Sequence, residues 1–217
     1  MPFLKRLLKR QTAFILAASR DTSGVAALEF AFIAPTMLVM FIGVVELSAA
    51  LIIDRRVQQV AESVSDLTAR DENQLSQITM TDIMTSSQYV LTPYPTAPAV
   101  VTVRQILSAP TNANKQKQAW SCTYTAATTT LNCACSSVDF AMPANIMKAN
   151  DNVVVAEVKY DYKPTALNYF LKAGWSSLSD GSGGYILTES AYMKPRGNAS
   201  MFVQPNGVAC PIPNFTN

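Results

Sequence analysis

The side chains best suited to chemistry in this sequence are two carboxylates set in an apolar run and four cysteines that follow it. Glu29 stands near the start of the run, and Glu46 stands near its end. A charge at membrane depth costs several kcal/mol unless it is paired, reaches the headgroups or takes up a proton. We therefore expect ion pairing or interface solvation at these two positions.

The cysteines are Cys122, Cys133, Cys135 and Cys210. An even number favours two disulfides in an oxidising compartment. Cys133 and Cys135 are too close in sequence to pair easily, so we expect each to bond with one of the other two, and the assignment stays open. A zinc site is the weaker alternative, because the chain has no histidine and no Cys-x-x-Cys pair.

Catalysis finds little support in the residue types. Without histidine the chain lacks the commonest general base, and no GxSxG motif, phosphate loop or paired Asp motif replaces it. The glycine-rich stretch 180–184 is interpreted as a turn, because a strand pattern follows it. We expect no enzyme, no cofactor, no metal and no small-molecule substrate. The formal charge of +2 is also too small to suggest nucleic acid.

The apolar run extends over residues 30–53 and is interrupted only by Glu46. At about 1.5 Å per residue it reaches roughly 36 Å, which is enough to cross a bilayer. Conventional signal peptides ending at Ala17-Ala18-Ser19 or Ser48-Ala49-Ala50 are the weaker alternatives. The first follows too short an apolar stretch, and the second lies inside the run. We expect an anchor that is retained.

The orientation of this anchor follows from its flanking charges. Only Arg55 and Arg56 lie close on the C-terminal side. The five basic residues before Gly24 are Lys5, Arg6, Lys9, Arg10 and Arg20. The positive-inside rule then places the N-terminus in the cytoplasm and predicts that the chain after about Asp54 is exported.

The helix continues beyond the apolar run, because apolar residues recur at helical spacing. They are Val57, Val60, Ala61, Val64 and Leu67. The pattern predicts one helix from about Val25 to Arg70. Its first part is apolar on all faces, and its second part has apolar residues along one face only. Pro35 removes a backbone hydrogen bond inside it, so we expect a kink there.

Residues 71–217 are predicted to form an α+β domain with an antiparallel sheet packed against the upper half of the long helix. We expect a helix over 78–91, a hairpin of strands 100–106 and 119–125 joined by a polar loop 109–118, and further strands at 152–162 and 185–193. Residues 165–175 are interpreted as a short helix. Three regions result: a basic leader 1–24, a membrane and spine helix 25–70, and this domain.

The order of features from Gly24 to Phe30 resembles type IV prepilins: a basic leader ending in Gly, a short apolar stretch, then Glu at the fifth position. The string "GVAALEFAFIAPTMLVMFIGVVELSAALIIDRRVQQVAESVSDLTAR" resembles more narrowly the TadE/TadG-like family of tight-adherence (Tad/Flp) pilus assembly proteins. That family shares a G-x-x-A-x-E-F-A start, a following Pro and a second Glu. The likeness extends more loosely from about residue 20 to 197, including "DNVVVAEVKYDYKP" and "LTESAYMKPR".

The resemblance implies that a prepilin peptidase cuts between Gly24 and Val25. Mature chains of this kind often begin with an aromatic residue or Met, and Val25 departs from that pattern. In a bundle of such helices, Glu29 of one subunit would pair with the new α-amino group of its neighbour and set the axial register. In the isolated chain Glu29 would lie in water at the interface. Glu46 would lie about 26 Å further along, at the outer interface or against a partner helix.

The function implied is a minor pilin-like (pseudopilin) component required for assembly of a Tad/Flp pilus. Its partners would be the prepilin peptidase, other pilins or pseudopilins, and the Tad membrane platform. An uncleaved single-span assembly factor of the TadG kind is the first alternative. A membrane-tethered binding module of the envelope is the second.

Overall fold

The computed structural model describes residues 24–70, 75–164, 184–196, 202–204 and 208–215. The basic leader, the short helix expected at 165–175 and most of the expected turn at 180–184 lie outside these residues. The chain divides into two compact units between Leu47 and Ser48. We call residues 25–47 the apolar segment and the second unit the sheet domain. The predicted α+β class is confirmed.

Helix α1 spans Val25–Arg70 without interruption, as its residue pattern predicts. Its 46 residues extend over about 69 Å. The helix continues through Pro35, and the kink expected there stays a prediction. Between Val44 and Arg70 the sequence has no glycine or proline, so no residue in this part favours a break.

The apolar segment leaves nearly all of its large side chains uncovered. Phe32 is 79% exposed and Phe41 is 66% exposed. The helix is long and apolar enough to cross a membrane. Leaving so much apolar surface in water is unfavourable at roughly 25 cal/mol per Å². The segment therefore needs lipid or partner helices around it.

The second half of α1 is buried along one stripe in the core of the sheet domain. Its most deeply buried apolar residues include Val57, Val60, Ala61 and Val64. The prediction that Leu67 is the fifth residue of this stripe is wrong, because its side chain is 40% exposed. Thr68 is buried in the stripe instead, and its hydroxyl donates to the carbonyl of Val64 at 2.7 Å, which satisfies this buried group.

Short elements follow α1. Strand β1 is Leu75–Ser76, helix α2 is Gln77–Ser87, and a 3₁₀ helix covers Gln88–Leu91. The Ser76 hydroxyl accepts a hydrogen bond from the amide of Thr79 at 3.1 Å and so caps α2. The predicted helix over 78–91 is confirmed, with its last turn tightened to 3₁₀ geometry.

Five antiparallel strands form the main sheet in the order β4-β3-β2-β5-β6. Their bounds are Ala99–Ala109 (β2), Asn112–Thr125 (β3), Thr130–Asp139 (β4), Asn152–Tyr162 (β5) and Tyr185–Met193 (β6). A final strand, β7, spans Phe202–Val203 and pairs in parallel with β1. The main sheet packs against α1 through side chains on one face, including Val101, Val103, Cys122, Tyr124, Ala156 and Val158.

Two features of this sheet differ from the sequence prediction. The prediction of a polar loop over residues 109–118 is wrong. Strand β3 begins at Asn112, and only Pro110 and Thr111 connect it to β2. Backbone pairing does not require apolar side chains, and Gln116 pairs with Ser108 while its side chain stays half-exposed. Strand β4 was not predicted. Leu131, Cys133 and Cys135 do alternate in its first half, but most of its other residues are small or polar, so the strand pattern is weak.

Candidate functional site

The N-terminal end of α1 contains the residues predicted to be processed. Gly24 is exposed, and Val25, the first residue of α1, is 52% exposed. A Cβ added to Gly24 would meet no heavy atom of the described residues within 4 Å. Nothing in the packing of the described chain therefore requires glycine at this position.

Glu29 lies one turn into α1 and is exposed. Among the described residues no ion pair or hydrogen bond is recorded for its side chain. A carboxylate near a helix N-terminus is favoured by the helix dipole, and an added cation at that terminus is disfavoured unless an anion is close. The position of Glu29 suits neutralisation of a positive group at the start of the helix.

Glu46 lies further along the same helix and is half-buried. The 17 residues between it and Glu29 correspond to about 26 Å of helix axis. This separation is close to the roughly 30 Å thickness of the hydrocarbon core. The two acids are therefore spaced to lie near opposite boundaries of one bilayer.

The four cysteines form two disulfides in the sheet domain. Cys122 bonds to Cys133, its register partner across β3 and β4, with a Cα–Cα distance of 4.0 Å. Cys135 bonds to Cys210 in the C-terminal segment, with a Cα–Cα distance of 5.3 Å. This resolves the pairing that the sequence left open. Strand β4 is thereby bonded covalently to β3 and to the C-terminal segment.

Arg56 connects α1 to the segment that follows α2. Its guanidinium donates a hydrogen bond to the carbonyl of Val90 at 2.8 Å and lies 5.9 Å from the centre of the Tyr94 ring. An arginine in this position combines a charge-assisted hydrogen bond with a cation–π contact. A residue predicted only as a flanking charge therefore also holds part of the domain against the helix.

Glu157 on β5 is an acid stabilised by two cations. Arg104 contacts one carboxylate oxygen at 2.7 Å, and Lys159 contacts the other at 2.9 Å. Partial burial alone would raise the pKa of Glu157, but hydrogen bonds and positive charge from Arg104 and Lys159 outweigh it and lower the pKa. The ionised form of Glu157 is thus favoured by folding.

Glu189 on β6 has the opposite environment. Partial burial is the main cause that raises its pKa, and the negative charge of Asp54 on α1 raises it further. The ionised form of Glu189 is thus disfavoured by folding.

A buried polar chain at one end of the sheet was not predicted from the sequence. The Trp120 indole donates to the carboxamide oxygen of Gln105, whose nitrogen donates to Asn152 at 3.0 Å. Gln105 is only 2% exposed. The available signal was that Gln105 follows Ala99, Val101 and Val103 on the apolar face of β2, where a buried carboxamide needs partners.

Within the described ranges, no group of three or more His, Cys, Asp or Glu side chains is arranged to hold a metal ion. The first unit exposes a large apolar surface, and the second unit is held by two disulfides and a buried polar chain.

Residues 24–66 match the sequence family described as TadE-like protein. The match confirms the resemblance over the apolar run and the stripe that follows it. No curated protein and no solved structure matches the chain. The resemblance of the later strands to this family stays a prediction.

The two glutamates predict stability changes of opposite sign. Because the pKa of Glu189 is raised, its contribution is favourable below its unfolded value near 4.5 and is lost as the pH rises through the folded value. Glu189→Gln should therefore raise the unfolding temperature at neutral pH. Because the pKa of Glu157 is lowered, its stabilisation exists above about 4.5 and is lost in acid, so Glu157→Gln should lower that temperature.

We expect each change to be roughly 1–3 °C, since both groups are partly solvated. Thermal unfolding of both variants in detergent, followed by circular dichroism from neutral to acidic pH, measures the effect. Both differences should disappear in acid. Shifts of the same sign, or shifts that do not depend on pH, would contradict the electrostatic assignments.

Proposed function

We propose that this chain, whose residues 24–66 carry the TadE-like pattern, is a minor pilin-like (pseudopilin) component required for assembly of a Tad pilus. The family match supports an association with the Tad pilus, and the apolar helix supports an association with a membrane. We further propose that α1 anchors the chain in the cytoplasmic membrane and that the sheet domain lies in the periplasm. The role proposed is packing between proteins, without catalysis.

The observation that carries the proposal is the exposed apolar segment with an acid at its start. Side chains between Val25 and Leu47 find little cover within the chain. A helix of this kind packs laterally with similar helices in lipid, where small residues and polar groups make the contacts. Glu29 would supply the polar contact in such a bundle.

Processing by a prepilin peptidase is supported by the environment of Gly24. Since no described neighbour excludes a side chain there, the glycine is better explained by recognition from outside the chain than by packing. Cleavage after Gly24 would remove the five basic residues of the leader and leave one positive α-amino group on Val25. The first residue of the mature chain would then also be the first residue of α1.

The new α-amino group on Val25 would be a positive charge that Glu29 can neutralise. A cation at the positive end of a helix dipole is unfavourable, and it is more so in a medium of low dielectric constant. Glu29 of an adjacent subunit would neutralise it, and because the two groups lie on fixed turns of their helices, the pair would fix the axial offset between subunits. Glu46, at the other boundary, would remain at the outer interface or contact a partner helix.

An uncleaved assembly factor of the TadG kind is the second candidate. The observation that favours it is Val25, which departs from the aromatic residue or Met that often begins a mature pilin. In that case the leader would stay attached as a cytoplasmic basic segment, and Glu29 would lie in water at the inner interface.

Mass spectrometry of the mature N-terminus separates the two candidates. In membranes from cells that contain the prepilin peptidase, we expect a chain beginning at Val25. In cells that lack the peptidase, we expect the leader to be intact, which serves as the control. An intact leader in both samples would remove the processed-pseudopilin proposal and leave the TadG-like candidate.

Replacement of Glu29 by Gln tests the ion pair. We expect Glu29→Gln to reduce the number of pili tenfold or more, since a loss of only about 1.4 kcal/mol per contact changes an equilibrium tenfold. Electron microscopy counts the pili, and immunoblots of membranes check that the variant is inserted and cleaved. Glu46→Gln is the matched control and should have a smaller effect. Normal piliation by Glu29→Gln would refute the pairing.

A further inference from the structure

A groove of about 780 Å³ lies at the end of the sheet where β2 turns into β3. Its walls come from three separate stretches of chain: the hairpin connection, the loop that precedes β5, and the C-terminal segment that follows Cys210. This volume is in the range of small-ligand sites, roughly 300–1,000 Å³. Neither the TadE-like match nor the proposed packing role accounts for it.

Carboxamides dominate the polar lining of this groove. They are Gln105, Asn112, Asn150, Asn152 and Asn214. Each carboxamide offers donors and an acceptor together. The charged groups in the lining are Lys115 and Asp151, one of each sign, and Asp151 also pairs with Lys194 at 2.7 Å. The lining therefore suits a ligand that is polar and uncharged.

Two of these amides have hydrogen-bonding capacity left. The Asn152 side-chain nitrogen is buried and has no hydrogen-bond partner. The Asn150 side chain is exposed, and within the described part of the chain no hydrogen bond is recorded for it. Asn150 has a φ of 58°, a left-handed conformation that Asn and Asp tolerate better than other side chains. This backbone is held in place, since its amide donates to the carbonyl of Ala109 at 3.0 Å.

The third wall is fixed before any ligand arrives. The disulfide from Cys135 to Cys210 holds its start, and the Lys117 ammonium donates to the carbonyl of Asn214 at 2.8 Å near its end. Pro211 and Pro213 between them restrict the backbone further. A groove held in this way does not have to order a loop on binding, which reduces the cost of association.

We propose that this groove binds a neutral saccharide. Neighbouring hydroxyls of a sugar each donate and accept, as carboxamides do, and the apolar side chains of Leu107, Ile212 and Phe215 in the lining match the C–H faces of a pyranose ring. An extended peptide fits less well, because the groove lies at the ends of strands, and β2 is already paired on both sides, with β3 and β5. The site would give the pilus component a surface for glycan contact, beyond its proposed packing role.

Titration of the full chain in detergent with maltose, cellobiose and N,N′-diacetylchitobiose, followed by calorimetry, tests the proposal. Asn150→Asp keeps a residue that tolerates positive φ but replaces the amide donor with a charge. Asn145→Asp is the matched control, because Asn145 is also exposed at positive φ (68°) and does not line the groove. We expect at least one of these sugars to bind. Its affinity should fall by at least about two- to tenfold in Asn150→Asp and should not change in Asn145→Asp.

Absence of binding by all three sugars, or equal weakening by both variants, would overturn the proposal. So would binding of a neutral extended peptide in place of the sugars, with the same loss in Asn150→Asp. Piliation by Asn150→Asp should remain normal, since the groove is separate from Glu29. A failure of sugar binding would therefore leave the assembly role standing, and a failure of the assembly role would not affect the binding measurement.

Discussion

A single unbroken backbone ladder over Val25–Arg70 is the constraint on which the other features depend. Its first half leaves apolar side chains uncovered, and its second half buries a narrow stripe in a folded core. In lipid a helix must satisfy every backbone group internally, and in water it gains stability from one packed face. A helix that meets both requirements needs no linker where the environment changes.

The sheet domain supplies the covering for the second half of this helix. Strands β2, β3 and β5 contribute the buried face, while Arg56, the two disulfides and the polar chain around Gln105 hold the margins. At the edges of the domain, hydrogen bonds and disulfides therefore make the contacts that buried apolar side chains make in the core. The domain can therefore be rigid although much of its sequence is polar, and rigidity is what a surface for assembly or ligand binding requires.

The sequence predicts the elements whose period is strong and misses those held by distant partners. Helix α1 is predicted to its ends, because its apolar residues recur at helical spacing, and β5 is predicted from strict alternation. Strand β4 is missed because its residues are small and polar, and its place depends on Cys122 and Cys210, which come from elsewhere in the chain. The roles predicted for Gly24 and Glu29 rest on spacing and resemblance, and they stay predictions. The groove was not predicted, since three distant stretches form it.

The solvent accessibility of side chains along α1 is the most direct test of a helix that passes from lipid into water. All four native cysteines are in disulfides, so a spin label can be attached selectively to Leu38→Cys or Gln58→Cys in the chain reconstituted in lipid nanodiscs. We predict that the label at position 38 collides mainly with oxygen and the label at position 58 mainly with a water-soluble nickel complex. Equal access of the nickel complex to both labels would contradict a helix that passes from lipid into water.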